Sequence, residues 1–498
     1  MGIYTNDDDA NKKHKLSISI KDNFTRINEK FTDCPDIITR HVYLKDKREA
    51  YFIYVEGMIN TDLVERDFIT PIVSSDFQHL FVDAAIQNLP TSKITYRYDI
   101  DSIVTDILTG CTAFIIDGMN FAVCTALRKF DKRSVTEPEV EKNVRGSHEG
   151  FVEPINTNFA LLRRRVKNNK LKFKTVKLGT MTNQSVAVAY IDGLCDKELL
   201  DILYNKVKGI NIDGLLAAGY VEQSITDFRN SPFPQYQTTE RPDKAAAALL
   251  EGKFVILVEG TPVVLITPVD FFAFFQAMDD YSTNWMFGNS VRALRFFAMM
   301  IAIVLPGFYV AITTFHYYMV PLNLLVPLAE SRARVPFPPI VEVLIMEITI
   351  EMLREAAIRL PTYIGSSIGV VGGIIIGQAA VQAGIVSDLL IIVVAITAVA
   401  SFVAPNYDMG YAIRLLRFIE IVLSAIFGII GIVIFSAIIL AHLVVLESMG
   451  QPYFQPLIPF KFSGLRDSIV RSPFHFLKKR PDIAKPKDKI RGEGNEGE

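Results

Sequence analysis

Apolar and polar positions alternate at short range up to about residue 285, and between Ser290 and Leu446 the apolar ones gather into long runs. Phe296–Tyr317, Ile364–Gly384, Leu389–Ala404 and Ile413–Leu446 hold few or no charges each. A helix needs ~20 apolar residues to cross a bilayer core, so three of these runs suffice and Leu389–Ala404 is slightly short. The pattern predicts a water-exposed module followed by an α-helical polytopic membrane domain of four to five spans. Pro306 and Gly307 interrupt the first span. A missing N–H predicts a kink there, a candidate gate hinge whose freed carbonyl a neighbouring helix or water must satisfy. The last run, ~50 Å as a helix, is expected to tilt, project from the membrane or break at Gly428 and Gly431.

The soluble part repeats itself. Phe52–Gly57 (FIYVEG) reads as a strand ending in an acid and a glycine, and Val188–Gly193 (VAYIDG) has the same form. Asp99–Val123 matches Arg241–Leu265 without a gap, with Leu108 on Leu250, Gly110 on Gly252, Asp117 on Glu259 and Gly118 on Gly260. Each block reads as helix, glycine exit, strand, two-residue turn, strand; Gly110 and Gly252 suit a helix C′ position, and Asp-Gly or Glu-Gly a hairpin turn. The expected fold is α/β, a duplicated two-lobe soluble domain, followed by the membrane helices. Expected boundaries are 1–25 for a flexible N-terminus, 26–133 for the first lobe, 134–172 for a charged connector helix and 173–268 for the second lobe. A juxtamembrane connector at 269–292, a membrane domain at 293–446 and a basic cytosolic tail at 447–498 complete the chain.

Polar groups inside these elements supply the candidate sites. In the connector, Arg145, Glu149, Arg163, Arg164 and Arg165 form either a salt-bridged solvated segment or, through the arginines and nearby glycine amides, an anion site. Ile340–Leu360 is long enough to span yet carries Glu347, Glu351 and Glu355 at i+4 spacing. Those carboxylates share one helical face and must meet water, a pore or the arginines Arg354 and Arg359. Gly365, Gly369, Gly373 and Gly377 recur every fourth residue, the spacing on which membrane helices pack closely. Gln378 and Gln382 lie on another face, which either packs or lines an aqueous path.

Charge and composition narrow the reading. The formal net charge of −2 argues against a phosphate-reading nucleic-acid partner. Cys34, Cys111, Cys124 and Cys195 form no close pair and no CxxC, so neither a disulfide framework nor a metal site is expected. The N-terminal sequence lacks an apolar core and a cleavage site, so no secretory signal is expected. Arg292 and Arg295 before the first span, and the Lys/Arg-rich tail, predict that both ends face the cytosol. Arg414 and Arg417 at the head of the last run vote the other way. Walker A, GxGxxG, HExxH and GxSxG motifs do not occur, which disfavours an enzyme, and no cofactor is expected.

Four stretches carry a family resemblance: EPEVEKNVRGSHEGFVEPINTNFALLRRR (Glu137–Arg165), ERPDKAAAALLEGKFVILVEG (Glu240–Gly260), PFPPIVEVLIMEITIEMLREAAIRLP (Pro336–Pro361) and PNYDMGYAIRLLRF (Pro405–Phe418). In them the chain resembles the A subunits of GerA-type spore germination receptors. The resemblance implies a place in the inner membrane of dormant spores, beside a transporter-like B subunit and a lipoprotein C subunit. It also implies self-association into an oligomeric, cation-conducting or gating element, without catalytic residues to carry over. Two alternatives stay open: a non-conducting adaptor that assembles the receptor, and a paralogous sporulation membrane protein linked to dipicolinate release.

Overall fold

Alternate residues of the strand Glu49–Val55 enter two separate cores, Ile53 and Val55 on one face and Ala50 and Phe52 on the other. A strand buried on both faces is apolar nearly throughout, as at Phe52–Val55 and Thr112–Ile116, whereas the edge strand Ile37–Tyr43 is mixed and largely exposed. The computed structural model describes residues 15–74, 94–126, 137–138, 141, 145–359, 377–462 and 464–492. In the first lobe, β1 (Ile37–Tyr43), β2 (Glu49–Val55), β3 (Ile94–Arg97), β4 (Thr112–Ile116) and β5 (Ala122–Thr125) form an antiparallel sheet of order β1-β2-β4-β5-β3. Helices α1 (Ile20–Lys30) and α2 (Ile100–Leu108) cover one face, and short helical turns between Thr61 and Ser74 cover the other.

The second lobe repeats this plan. Its strands β6 (Leu171–Leu178), β7 (Gln184–Ile191), β8 (Gln237–Thr239), β9 (Phe254–Val258) and β10 (Val264–Thr267) take the order β6-β7-β9-β10-β8. Helices α3 (Ile155–Arg165), α4 (Lys197–Lys208) and α5 (Pro242–Leu250) flank them. The paired glycines share a left-handed backbone: Gly110 and Gly252 at φ 88° and 86°, Gly118 and Gly260 at 87° and 83°. A residue with a Cβ resists that conformation. The expected two-residue turns are longer, because pairing of Ile115 with Ala122 leaves Asp117–Phe121 as a five-residue loop, and Glu259–Val263 matches it.

The boundary expected at 134–172 also changes. Helix α3 belongs to the second lobe as the counterpart of α1. Asn23 of α1 accepts from Ser17 N at 2.7 Å and donates to Ser17 O at 2.6 Å; Asn158 of α3 does the same with Val152 at 2.9 and 2.6 Å. Each side-chain amide thus satisfies both backbone groups of a residue in the extended segment that precedes its helix. The repeat therefore begins near residue 16, where Leu16 and Ile20 are already buried, inside the stretch expected to be a flexible N-terminus.

One core joins the second lobe to the helical bundle. Val255, Leu257 and Ile266 pack in the same cluster as Phe271, Phe275, Ala298, Ala302, Ile413 and Leu416. The bundle comprises α6 (Trp285–Thr314), α7 (Leu322–Ala333), α8 (Pro339–Arg359), α9 (Asp388–Phe402), α10 (Tyr407–Phe427) and α11 (Ile429–Val445). The long run Ile413–Leu446 is two helices, broken at Gly428 with φ 62°. Among the described residues, α6 is the one helix long and apolar enough to cross a membrane, while α9 and α11 are apolar but shorter. Among the described residues one such helix stands where four to five spans are expected: the run Ile364–Gly384 lies largely outside them, and α8 and α10 carry charges on an otherwise suitable length.

Arg292 and Arg295, read as preceding the first span, lie within α6 and are buried against Asp280, with Arg295 Nη1 2.8 Å from the carboxylate. The C-terminal segment is not a free basic tail: Ile483 and Ala484 are buried, Lys487 N donates to Leu194 O at 2.9 Å, and Arg491 pairs with Glu251 at 2.8 Å.

Candidate functional site

Pro306 has no N–H, so the carbonyl of Ala302 one turn earlier loses its helical donor. Arg417 of α10 supplies the replacement, its Nε donating to Ala302 O at 2.7 Å. The same guanidinium places Nη1 2.5 Å from Glu347 Oε2 on α8, and both side chains are buried. Three helices are thereby stitched at one level. One turn onward along α8 and one turn back along α10, Arg414 Nη1 lies 3.1 Å from Glu351, which also faces Arg354 at 3.4 Å. Arg354 Nη2 donates to Ser401 Oγ of α9 at 2.7 Å.

The seam continues past Arg417 toward the other end of the bundle. Glu420 is fully buried; its Oε1 accepts from Ser424 Oγ at 2.8 Å, and its Oε2 has no partner among the described residues. It lies against Gly307, where an added Cβ would overlap the carboxylate. Glu342 accepts from Ser387 N at 3.2 Å, and Ser387 Oγ meets the Tyr309 hydroxyl at 2.8 Å. Buried carboxylates and guanidiniums in an apolar bundle are stable only when paired, and each unpaired atom leaves spare capacity for water or an ion. Glu347 Oε1 and Arg417 Nη2 have such capacity. The seam can therefore hold polar or charged species, or exchange partners when helices shift.

The sequence candidates fall in different places. Pro306, Glu347 and Glu351 join the seam, whereas Glu355 is exposed and pairs with Arg359 at 2.6 Å. The three carboxylates do share a helix, but the seam takes only the first two. Arg354 faces Glu351 as expected, while Glu347 finds Arg417 on another helix. Gly365, Gly369 and Gly373 lie outside the described residues. Gly377 is buried toward Ile391, while Gln378 and Gln382 are exposed. Arg414, Arg417 and Glu420 supply half of the seam; the sequence reading used the two arginines only as orientation signals and gave Glu420 no role. Their i+3 spacing, which sets all three on one helical face, was the available signal.

At three of the connector arginines a carboxylate already engages the guanidinium. Arg163 is fully buried, with Nε 2.7 Å and Nη2 3.0 Å from the two oxygens of Asp36, and Nη1 donates to Leu171 O at 2.9 Å. This bidentate pair locks α3 to the first lobe. Arg164 and Arg165 each reach Glu149 at 2.8 Å. The Arg145 amide lies 3.5 Å from Asp279. A carboxylate thus fills the place an external anion would take at Arg163, Arg164 and Arg165.

The seam is tied to the second lobe. Thr238 Oγ1 on edge strand β8 donates to Asp408 at 2.6 Å, in the first turn of α10. Ser231 Oγ meets His442 Nε2 of α11 at 2.8 Å, and Tyr453 OH donates to Pro234 O at 2.7 Å. Beside this joint, burial and then the Asp408 carboxylate push Glu222 up to about 7. Among the described residues no group of three or more His, Cys, Asp or Glu side chains is placed to hold a metal ion.

A duplicated α/β module sharing a core with a helical bundle, whose charged residues pair across helices, defines a two-part protein in which one described helix is long and apolar enough to cross a membrane. The chain belongs to the GerA family: the family described as Bacillus/Clostridium GerA spore germination protein matches residues 25–483. It is 37% identical over 481 residues to spore germination protein KA of Bacillus subtilis (strain 168), covering 96% of this chain and 88% of that one. It is also 37% identical over 492 residues to the uncharacterized membrane protein YfkQ of the same strain, covering 98% and 94%. Among solved structures, the N-terminal domain of the A subunit of the Bacillus megaterium spore germinant receptor GerK3 is similar at 27% identity and a TM-score of 0.39, covering 52% of this chain and 97% of that one.

Proposed function

We propose that this chain is the A subunit of a germinant receptor in the spore inner membrane. In this reading it works with a transporter-like B subunit and a lipoprotein C subunit, and self-associates into a cation-conducting or gating element that triggers germination. The lobes are cytosolic, and the bundle is multi-pass, with α8 and α10 spanning through their paired charges. The observation that carries this reading is mechanical: α10 begins on the edge strand of the second lobe through Thr238 and Asp408, and also carries Arg414, Arg417 and Glu420. A shift of the lobe reaches the charged seam through one helix. Spore germination comes from the family, and conduction rests on the seam.

The test is cation flux through the full chain reconstituted in liposomes with and without its B and C partners, across a panel of nutrients. Nutrient-dependent leak that changes in Glu351→Gln, with the complex intact, is the expected result. A complex that binds nutrient and leaks nothing would sink the conducting role and leave the adaptor reading. That second reading is favoured by the seam's guanidiniums all being engaged, which is also how polar groups act as packing contacts.

A further inference from the structure

The C-terminal segment folds back against the second lobe and the foot of α6, enclosing an open cavity of about 880 Å³. Its depth is fixed by contacts with α6 and the residues before it. Arg292 Nη1 donates to the carbonyl of Asp467, Tyr281 OH donates to Asp467 Oδ1 at 2.9 Å, and Asn289 Nδ2 donates to Arg471 O at 2.8 Å. The apolar part of α6 starts near Phe296, seven residues beyond Asn289. At 1.5 Å per residue that is about 10 Å, which sets the cavity at the outer edge of a headgroup layer about 5–8 Å deep.

The lining suits an anion. Arg466, Lys478 and Lys479 border the cavity, are exposed, and have no acidic partner among the described residues. Lys489, also at the rim, is exposed and likewise has no acidic partner among the described residues, while Lys461 pairs with Asp482 at 3.0 Å, Arg480 with Asp488 at 2.9 Å, and Arg491 with Glu251 at 2.8 Å. The acids at the floor are also held, Glu251 by Lys253 at 3.1 Å and Asp467 by Tyr281 and Arg292. The unbalanced charge is therefore positive. Phe474 and Phe476 flank it at 63% and 58% exposure. Exposed phenyl rings beside basic side chains, next to a spanning helix, suit contact with the interface of an anionic membrane.

We propose that this cavity binds the headgroup of an anionic phospholipid, clamping the C-terminal segment and α6 to the membrane surface. The test uses the full chain purified in non-ionic detergent, with thermal unfolding followed as short-chain phosphatidylglycerol, short-chain phosphatidylcholine or inorganic phosphate is added. Phosphatidylglycerol should raise the Tm in a concentration- and salt-dependent way. The triple variant Arg466→Gln/Lys478→Gln/Lys479→Gln should keep its lipid-free Tm and need about a hundredfold more lipid, about fivefold for each cation. Stabilisation by phosphatidylcholine to the same extent would overturn a headgroup site. Stabilisation by phosphate alone would reassign the cavity to a soluble anion. A wild-type response in the triple variant, or no response to any probe, would also overturn it.

Discussion

Arg417 donates to the carbonyl of Ala302 that Pro306 leaves without a helical partner, and the same guanidinium pairs with Glu347. A proline in α6 is thus tolerated through an arginine on α10 and a glutamate on α8. Replacing Arg417 by Met orphans both the carbonyl and a buried carboxylate, and breaking such a pair costs about 3–5 kcal/mol. Arg417→Met should unfold at clearly lower temperature in detergent. Adding Glu347→Gln should recover part of that loss, and a double-mutant cycle measures the coupling. Additive losses would show that the two side chains do not act together.

Arg163 and Asp36 hold the two lobes in register. Arg163→Lys keeps the charge but loses the bidentate geometry and the bond to Leu171 O, and Arg163→Ala leaves Asp36 buried alone. Stability should fall in the order wild type, Lys, Ala, with about 3–5 kcal/mol for the last. Denaturant unfolding of the full chain, followed at the lobes, reads this order. Phosphate should leave all three curves in place, because Asp36 already occupies the fork; a phosphate-dependent rise in the wild type would contradict that.

The repeat was legible where a backbone conformation demands a residue type, as at Gly110 and Gly252, whose φ values of 88° and 86° exclude a Cβ at little cost only for glycine. It was not legible at α1 and α3. Their likeness lies in Asn23 and Asn158 pairing backbone six residues upstream, and the residues so paired, Ser17 and Val152, need share nothing. The seam was half legible. Glu347 and Glu351 stand out in an apolar stretch, but that Arg417, seventy residues on, is the partner follows from how helices pack. The break at Gly428 was one of the options open in the sequence, and the glycine took it because its φ of 62° is cheap only without a side chain.

Glu222 should make stability depend on pH. Burial, reinforced by Asp408, pushes it up to about 7, against about 4 in an unfolded chain. The folded state therefore holds this proton more tightly. Its contribution to stability is fully present below about pH 4 and is lost as pH rises toward 7, levelling off above. Glu222→Gln, which stays neutral, should flatten the Tm profile between about pH 5 and 7 and leave it parallel to wild type above. An unchanged slope would show that other groups carry it.

Gly307 and Glu420 occupy nearly the same space, so the identity of residue 307 should decide where the carboxylate goes. A methyl at position 307 overlaps the Glu420 side chain. Glu420 is fully buried with Ser424 as its neighbour on the same helix, so it has no solvent to retreat into without moving α10 away from α6. Overpacking of this kind costs about 1–3 kcal/mol. Gly307→Ala should therefore lower the Tm in detergent. Gly307→Ala/Glu420→Ala should recover most of it, since the second change removes both the clash and an unpaired carboxylate. Glu420→Ala alone should be mild or stabilising, because the partnerless Oε2 makes the native carboxylate costly. If Glu420→Ala destabilised as strongly as Gly307→Ala, and the double variant showed no recovery, the helices would be held by the carboxylate rather than strained by it.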